Sequence, residues 1–160
     1  MEQNTHKRFS LKQKLKKAVS DIHIDVFGYE KNVTRNVVAY FDKLSKETGL
    51  PSDQIIVRMF KQQHTVKTCV HQKGKVVKDI SVQELIELFT GTMGMPGMEE
   101  KMTDRIIGLI TDLMRQHKQE HHQFHVCILA QNGQVSVHAV NGNTVLETIP
   151  LTVLIQYFTR

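Results

Sequence analysis

The chain has 160 residues, of which 40% are hydrophobic, and a formal net charge of +5 at pH 7. This size suits one compact domain, or two small halves that share a core, and the composition is ordinary for a globular protein. No apolar run approaches the length of a bilayer span and the N-terminus lacks a signal-peptide core, so we expect no membrane insertion. Two cysteines provide no disulfide framework, which predicts a cytoplasmic location.

The positive charge is unevenly distributed along the chain. Residues 31–91 carry ten Lys or Arg against six acids, whereas residues 100–160 carry five against five. A basic half favours a polyanion or an acidic protein surface as partner. The alternative is that the charge only supports solubility.

Residues 1–30 predict a basic N-terminal helix and a short strand. Ser10 is a suitable N-cap for an amphipathic helix that would run to Ile22. Apolar residues then alternate with polar ones at Ile22, Ile24 and Val26, which predicts a strand ending near Gly28.

Residues 31–91 predict a helix, a three-stranded antiparallel meander and a second helix. Apolar residues recur at helical spacing up to Leu44, and Gly49 and Pro51 end that helix. Ser81 and Glu84 have the capping-box spacing for the second helix. Three strands are expected between the helices, at residues 55–61, 65–71 and 76–80.

Residues 92–99 read as a linker, because two glycines and Pro96 exclude regular structure. Methionines are dense in and just after this segment, at positions 93, 95, 98 and 102. Thioethers at this density suit Cu(I) binding or an adaptable apolar contact. We favour the contact, with the methionines in the groove between the two halves.

Residues 100–160 predict the same order of elements. Asn132-Gly133 and Asn141-Gly142 are hairpin turn sequences, and Pro150 suits the first turn of a closing helix. The expected strands are residues 123–130, 134–140 and 144–149.

The two segments also align with each other. Residues 34–91 match residues 103–160 without a gap, with 12 identities in 58 pairs, where roughly three or four are expected by chance. The shared positions are mostly apolar, as two copies of one core would be. We therefore predict an α+β protein made by internal duplication of a helix–three-strand meander–helix unit with pseudo-twofold symmetry. The two meanders either join in one six-stranded sheet or stack face to face.

One face of the first meander is the leading candidate for anion or nucleic-acid binding. Positive charge around an exposed aromatic ring is typical of sheets that bind single-stranded nucleic acid. The alternative is that this face is covered and its apolar residues are core. The candidate residues are Arg58, Phe60, Lys67, Lys73, Lys75 and Lys78.

A weaker constellation lies in the second meander. If Asn132-Gly133 is a two-residue turn, Cys127 lies opposite His138, and His125 shares their face. These three side chains suggest a metal site or a Cys–His enzyme, but a fourth ligand and an orienting group are missing.

Two other groups of polar residues carry less weight. A histidine-rich stretch at residues 117–125 lacks the glutamate of zinc proteases. The nearest carboxylate set, Asp79, Glu84 and Glu87, is explained by capping and surface roles.

These observations predict a non-enzymatic binding or regulatory module without a cofactor. We expect a protein partner and self-association through exposed sheet edges and the methionine linker. Nucleic-acid binding through the basic face is the alternative, and a metal-dependent or Cys–His enzyme is the weaker one.

Overall fold

The computed structural model describes residues 25–91, 97–118 and 123–158, with side chains from residue 30 onward. The predicted helix at residues 10–22, most of the linker and His121–His122 lie outside the described residues. The described part is α+β, with helices α1 to α4 and strands β1 to β6. In chain order these are α1 (Asp25–Thr48), β1 (Ile56–Gln62), β2 (Thr65–Gln72), β3 (Lys75–Ile80), α2 (Val82–Thr90), α3 (Met98–His117), β4 (Phe124–Gln131), β5 (Gln134–Asn141), β6 (Thr144–Ile149) and α4 (Leu151–Phe158).

The six strands form one antiparallel sheet in the order β3-β2-β1-β4-β5-β6. The two meanders therefore join edge to edge through β1 and β4 instead of stacking. At this junction Arg58 pairs with Cys127. On either side of that pair, Val57 lies opposite Ile128 and Met59 lies opposite Val126.

The strand predicted up to residue 29 is wrong from Asp25 onward, because α1 already begins there. The alternation that suggested a strand contains only three apolar residues. Extending an existing helix adds one hydrogen bond per residue without a new nucleation cost, so a weak local strand preference is overridden. A glycine inside a helix costs only about 1 kcal/mol relative to alanine, so Gly28 does not prevent this extension.

The core lies between the helices and one face of the sheet. Val57 and Met59 of β1 and Val126 and Ile128 of β4 are fully buried there. Alternate residues of a strand share a face, so the other residues of these strands point to the opposite side. Helix α2 contributes Leu85, and the remaining helices pack their apolar residues into the same cluster.

The helix ends and turns follow the local sequence. The Ser81 hydroxyl accepts a hydrogen bond from the Glu84 backbone, and the Glu84 carboxylate reaches back to the Ser81 N–H, which completes the capping box before α2. Asn132 and Gly133 both have positive φ, as a type I′ hairpin turn requires.

The predicted linker extends too far, because α3 begins at Met98. Met98 packs against the core and Met102 is buried, while Met93 and Met95 lie outside the described residues. None of the helices within the described ranges is both long and apolar enough to cross a bilayer.

Candidate functional site

The sheet face opposite the helix-packed face, which we call the second face, carries several of the predicted site residues at its centre. Three strands place Cys69, Arg58 and Cys127 side by side, because Arg58 pairs with both cysteines. His138 continues the row on β5, opposite Cys127. This row combines one permanent cation with two thiols and an imidazole.

Two β-bulges bend the outer hairpins. One lies between Val70 and His71 and the other between Ala139 and Val140. Bulges increase the local twist and re-aim the strand that follows. As a result, residues from the β2–β3 turn and the β5–β6 turn line one small cavity above the sheet centre. This cavity, which we call the central pocket, has a volume of about 240 Å³ and is lined by Arg58, Phe60, His71, Gly74, Gln123, His125, Gly142 and Asn143.

Arg58 is the cation of the central pocket. Its Nη1 donates a hydrogen bond to Nε2 of His125, while its buried Nε has no hydrogen-bond partner. Among the described residues no carboxylate forms a salt bridge with Arg58. The guanidinium therefore keeps an unused donor and an uncompensated charge.

His125 is held as a neutral imidazole. Its Nδ1 donates to the carbonyl oxygen of Gln123 at 3.1 Å, so Nε2 is free to accept from Arg58. Burial, with the nearby charge of Arg58, lowers the pKa of His125 to about 4. The same Gln123 carbonyl accepts the backbone N–H of Gly142 at 3.0 Å, which ties the β5–β6 turn to the start of β4.

His71 is also biased towards its neutral form. Burial, then the charges of Arg58 and Lys67, lowers its pKa. Its Nε2 lies 3.1 Å from Sγ of Cys69. The pocket thus contains a single permanent cation between two uncharged imidazoles.

Phe60 provides an aromatic surface next to that cation. Its ring centroid is 4.7 Å from the His125 ring and 6.3 Å from the His71 ring. Phe60 and His71 also line a neighbouring cavity of about 740 Å³, which includes Lys67. Lys67 is exposed and lies opposite Phe60 in the β1–β2 pair.

The predicted basic cluster divides between the two faces. Lys78 is directed to the helices, where Nζ bonds Glu47 at 2.6 Å and Glu84 at 3.2 Å. These carboxylates raise the pKa of Lys78 and compensate its charge. Lys73 and Lys75 are exposed at the β2–β3 turn. The structure therefore brings Arg58, Phe60 and Lys67 together and places Lys78 elsewhere.

The predicted His–Cys constellation has the expected register, with Cys127 opposite His138. His125 is engaged by Arg58, and Nδ1 of His138 lies 3.2 Å from the Thr148 hydroxyl. Within the described ranges no three His, Cys, Asp or Glu side chains gather in a metal-binding group. Burial raises the pKa of both cysteine thiols, so neither is activated as a thiolate.

His117 and His125, from the histidine-rich stretch, have separate environments. His117 ends α3 and bonds the Glu147 carboxylate at 2.6 Å. His125 lies in β4, beside Arg58. The described part of this stretch therefore does not form one histidine cluster.

The two outermost strands carry the large exposed apolar residues of the described chain. Val145 of β6 is 58% exposed, and Val76 and Val77 of β3 are 52% and 42% exposed. Val76 and Val145 are equivalent in the repeat alignment. An edge strand also presents backbone groups with no partner on its outer side.

A further apolar cavity of about 290 Å³ lies between the helices, next to the linker. Phe89, Met98, Met102, Ile155 and Phe158 line it. Met98 is the linker methionine that the structure describes, and Met93 and Met95 lie outside the described residues.

Comparison with models of protein families, with curated proteins and with solved structures gives no match to this chain. The second face and the sheet edges are therefore the features that bear on function.

Proposed function

We propose that this protein is a non-enzymatic binding module of the cytoplasm that self-associates by pairing the β6 edges of two copies. The observation that carries the proposal is the exposure of Val145 on an outermost strand. Pairing of two such edges satisfies backbone donors and acceptors and buries the valines together.

The two edges differ in how well they are protected against pairing. Lys75 directly precedes Val76 at the start of β3, and Lys73 lies in the turn before it. Lysine on an edge strand is a common device against edge-to-edge contact. Thr144, Val145 and Leu146 of β6 carry no charge. The β6 edge is therefore the better contact.

A β6–β6 contact also limits the assembly to two copies. Antiparallel pairing of the same strand from two copies is isologous, so it ends at a dimer. A contact between β3 of one copy and β6 of the next would continue into a ring or a filament. Glu147 does not oppose pairing strongly, because it already bonds His117 and Gln116.

Sedimentation velocity over a range of concentrations tests this proposal with two matched variants. Val145→Lys places a charge on the β6 edge, and we expect it to convert the concentration-dependent dimer to a monomer. Val76→Lys is the control, because it makes the same change at the equivalent position of β3 and leaves the dimer intact. A wild-type protein that stays monomeric at all concentrations, or equal effects of the two variants, would contradict the proposal.

We infer in addition that the two halves arose by internal duplication and are related by a pseudo-twofold axis at the Arg58–Cys127 pair. Three coincidences support this inference under the 69-residue alignment. The β1–β4 pairing is symmetric about Arg58 and Cys127, since Val57 pairs with the residue equivalent to Met59 and Met59 pairs with the residue equivalent to Val57. The two bulges fall at equivalent positions. The equivalent residues Gln63 and Asn132 both have positive φ.

The raised pKa values of the two cysteine thiols favour a binding role over a Cys–His enzyme. A nucleophilic cysteine needs a lowered pKa, whereas burial raises the pKa of Cys69 and Cys127. Both cysteines are free, which suits the reducing compartment in which we place the protein.

A further inference from the structure

We propose that the central pocket binds a nucleoside phosphate, with the phosphate on Arg58 and the base against Phe60. The ligand is either a free nucleotide or one unit of a single-stranded nucleic acid, since both present the same phosphate and base. This site is separate from the β6 edge and does not depend on self-association.

The phosphate position follows from the uncompensated charge of Arg58, which lines the pocket. Its Nε is buried without a hydrogen-bond partner, and a buried unsatisfied donor on a charged group is costly. A phosphate that accepts guanidinium N–H groups compensates this charge.

The surroundings of Arg58 favour an anion over any other ligand. His125 accepts a hydrogen bond from Nη1 and so orients the guanidinium plane. The acid nearest in sheet register is Asp79, which lies opposite Cys69 and so two strands from Arg58. The pocket therefore keeps a positive charge that no described acidic side chain cancels.

The base position follows from the aromatic side chains. Phe60 lies beside both imidazoles, with ring centroids 4.7 Å and 6.3 Å away, and it is partly exposed. Bases of every type stack on such rings. The adjoining cavity of about 740 Å³ has room for the base, and Lys67 at its edge can contact a second phosphate.

The turns complete the pocket without filling it. Gly74 and Gly142 approach from the two bent hairpins, and both have positive φ. A Cβ at Gly142 would come within 2.9 Å of the Gln123 side chain. Asn143 is exposed at the rim and offers both a donor and an acceptor to a base edge.

Fluorescence anisotropy with the full chain tests the proposal. The probes are fluorescently labelled AMP and a labelled oligo(dT) 12-mer, each at low and at moderate salt, with unlabelled adenosine and inorganic phosphate as competitors. We expect binding of at least one probe, competition by AMP, and at least about tenfold weaker competition by adenosine, which lacks the charged group. Binding of labelled AMP, alone or together with the 12-mer, indicates a free nucleotide site, while binding of the 12-mer alone with a steep salt dependence indicates a nucleic-acid strand.

Substitutions test whether the probes bind at the central pocket. Arg58→Gln should weaken it at least about tenfold, whereas Arg35→Gln, which removes the same charge from an exposed position on α1, should leave it unchanged. Phe60→Leu introduces the residue found at the equivalent position of the other half and should weaken the probes without changing competition by phosphate. Phe60→Leu also tests the location of the site if Arg58→Gln does not fold.

Three results would overturn the proposal. They are no binding of either probe at low salt, equal losses in Arg58→Gln and Arg35→Gln, and competition by phosphate as strong as that by AMP. Unchanged binding in Phe60→Leu would remove the base contact and so the nucleoside part of the proposal.

Discussion

At the scale of single residues, the molecule is organised around an arginine in the middle of its sheet. Arg58 has a buried donor without a partner and a neutral histidine as its neighbour. The neutrality of His125 is set by burial and by the nearby charge of Arg58. This arrangement has a consequence for stability that can be measured directly.

His125 should make the protein less stable in mild acid. Its pKa is about 4 in the folded chain and about 6.5 when unfolded. Between these values the unfolded chain binds a proton that the folded chain does not, so stability is complete above about pH 6.5 and falls as the pH decreases towards 4. The full loss from this group is about 3 kcal/mol.

Urea unfolding at pH 7, 5.5 and 4.5 measures this effect, with His125→Asn as the comparison. We expect the pH dependence of the variant to be shallower than that of the wild type across this range. Parallel curves for the two proteins would show that His125 is protonated in the folded state as readily as in the unfolded one.

The sequence predicts part of this site. Alternation along β1 and the short β1–β2 hairpin place Arg58, Phe60 and Lys67 on one face. The neighbour His125 could not be assigned to them, because β1 and β4 are joined by no turn that fixes their register. Its pairing with Phe60 is a long-range contact, and sequence periodicity carries no information about it. Lys78 was misplaced because the β2–β3 bulge lies between Val76 and Lys78 and moves Lys78 to the other face.

At the scale of elements, local signals define most boundaries. Capping and turn residues determine where α2 begins and where β4 turns into β5. The start of α1 was not predictable in the same way, because helix extension is cooperative and overrides a weak alternation. The bulges that bend the hairpins leave no distinct residue type in the sequence.

Removal of the α2 cap should have a defined cost. Ser81→Ala deletes the hydroxyl that accepts the Glu84 N–H at 3.1 Å, and we expect the free energy of unfolding to fall by about 1 kcal/mol. Chemical denaturation monitored by circular dichroism measures the change. Ser52→Ala is the control, because Ser52 lies in a short 3₁₀ turn, Ser52–Gln54, that has no side-chain cap bond. Equal effects of both substitutions would contradict the capping assignment.

At the scale of the whole molecule, the two halves share one core and one sheet. Leu85 of α2 and Leu154 of α4 are equivalent positions, both buried in the same cluster. The sequence repeat predicts two equivalent halves, but only the β1–β4 pairing shows how the halves are joined.

The shared core predicts cooperative unfolding. Leu85→Ala and Leu154→Ala should each lower the free energy of unfolding by about 3 kcal/mol, and each should shift a single transition of the entire chain. Circular dichroism and tyrosine fluorescence suit this test, since the chain has no tryptophan. Two separate transitions, one for each half, would show that the halves fold independently.

The central claim is that copies of this protein associate through β6. Amide hydrogen–deuterium exchange at low and high protein concentration tests it most directly. We predict that amides of residues 144–149 exchange more slowly at high concentration, while those of residues 75–80 on the opposite edge do not change. Unchanged exchange in β6, or new protection in β3 instead, would contradict the claim.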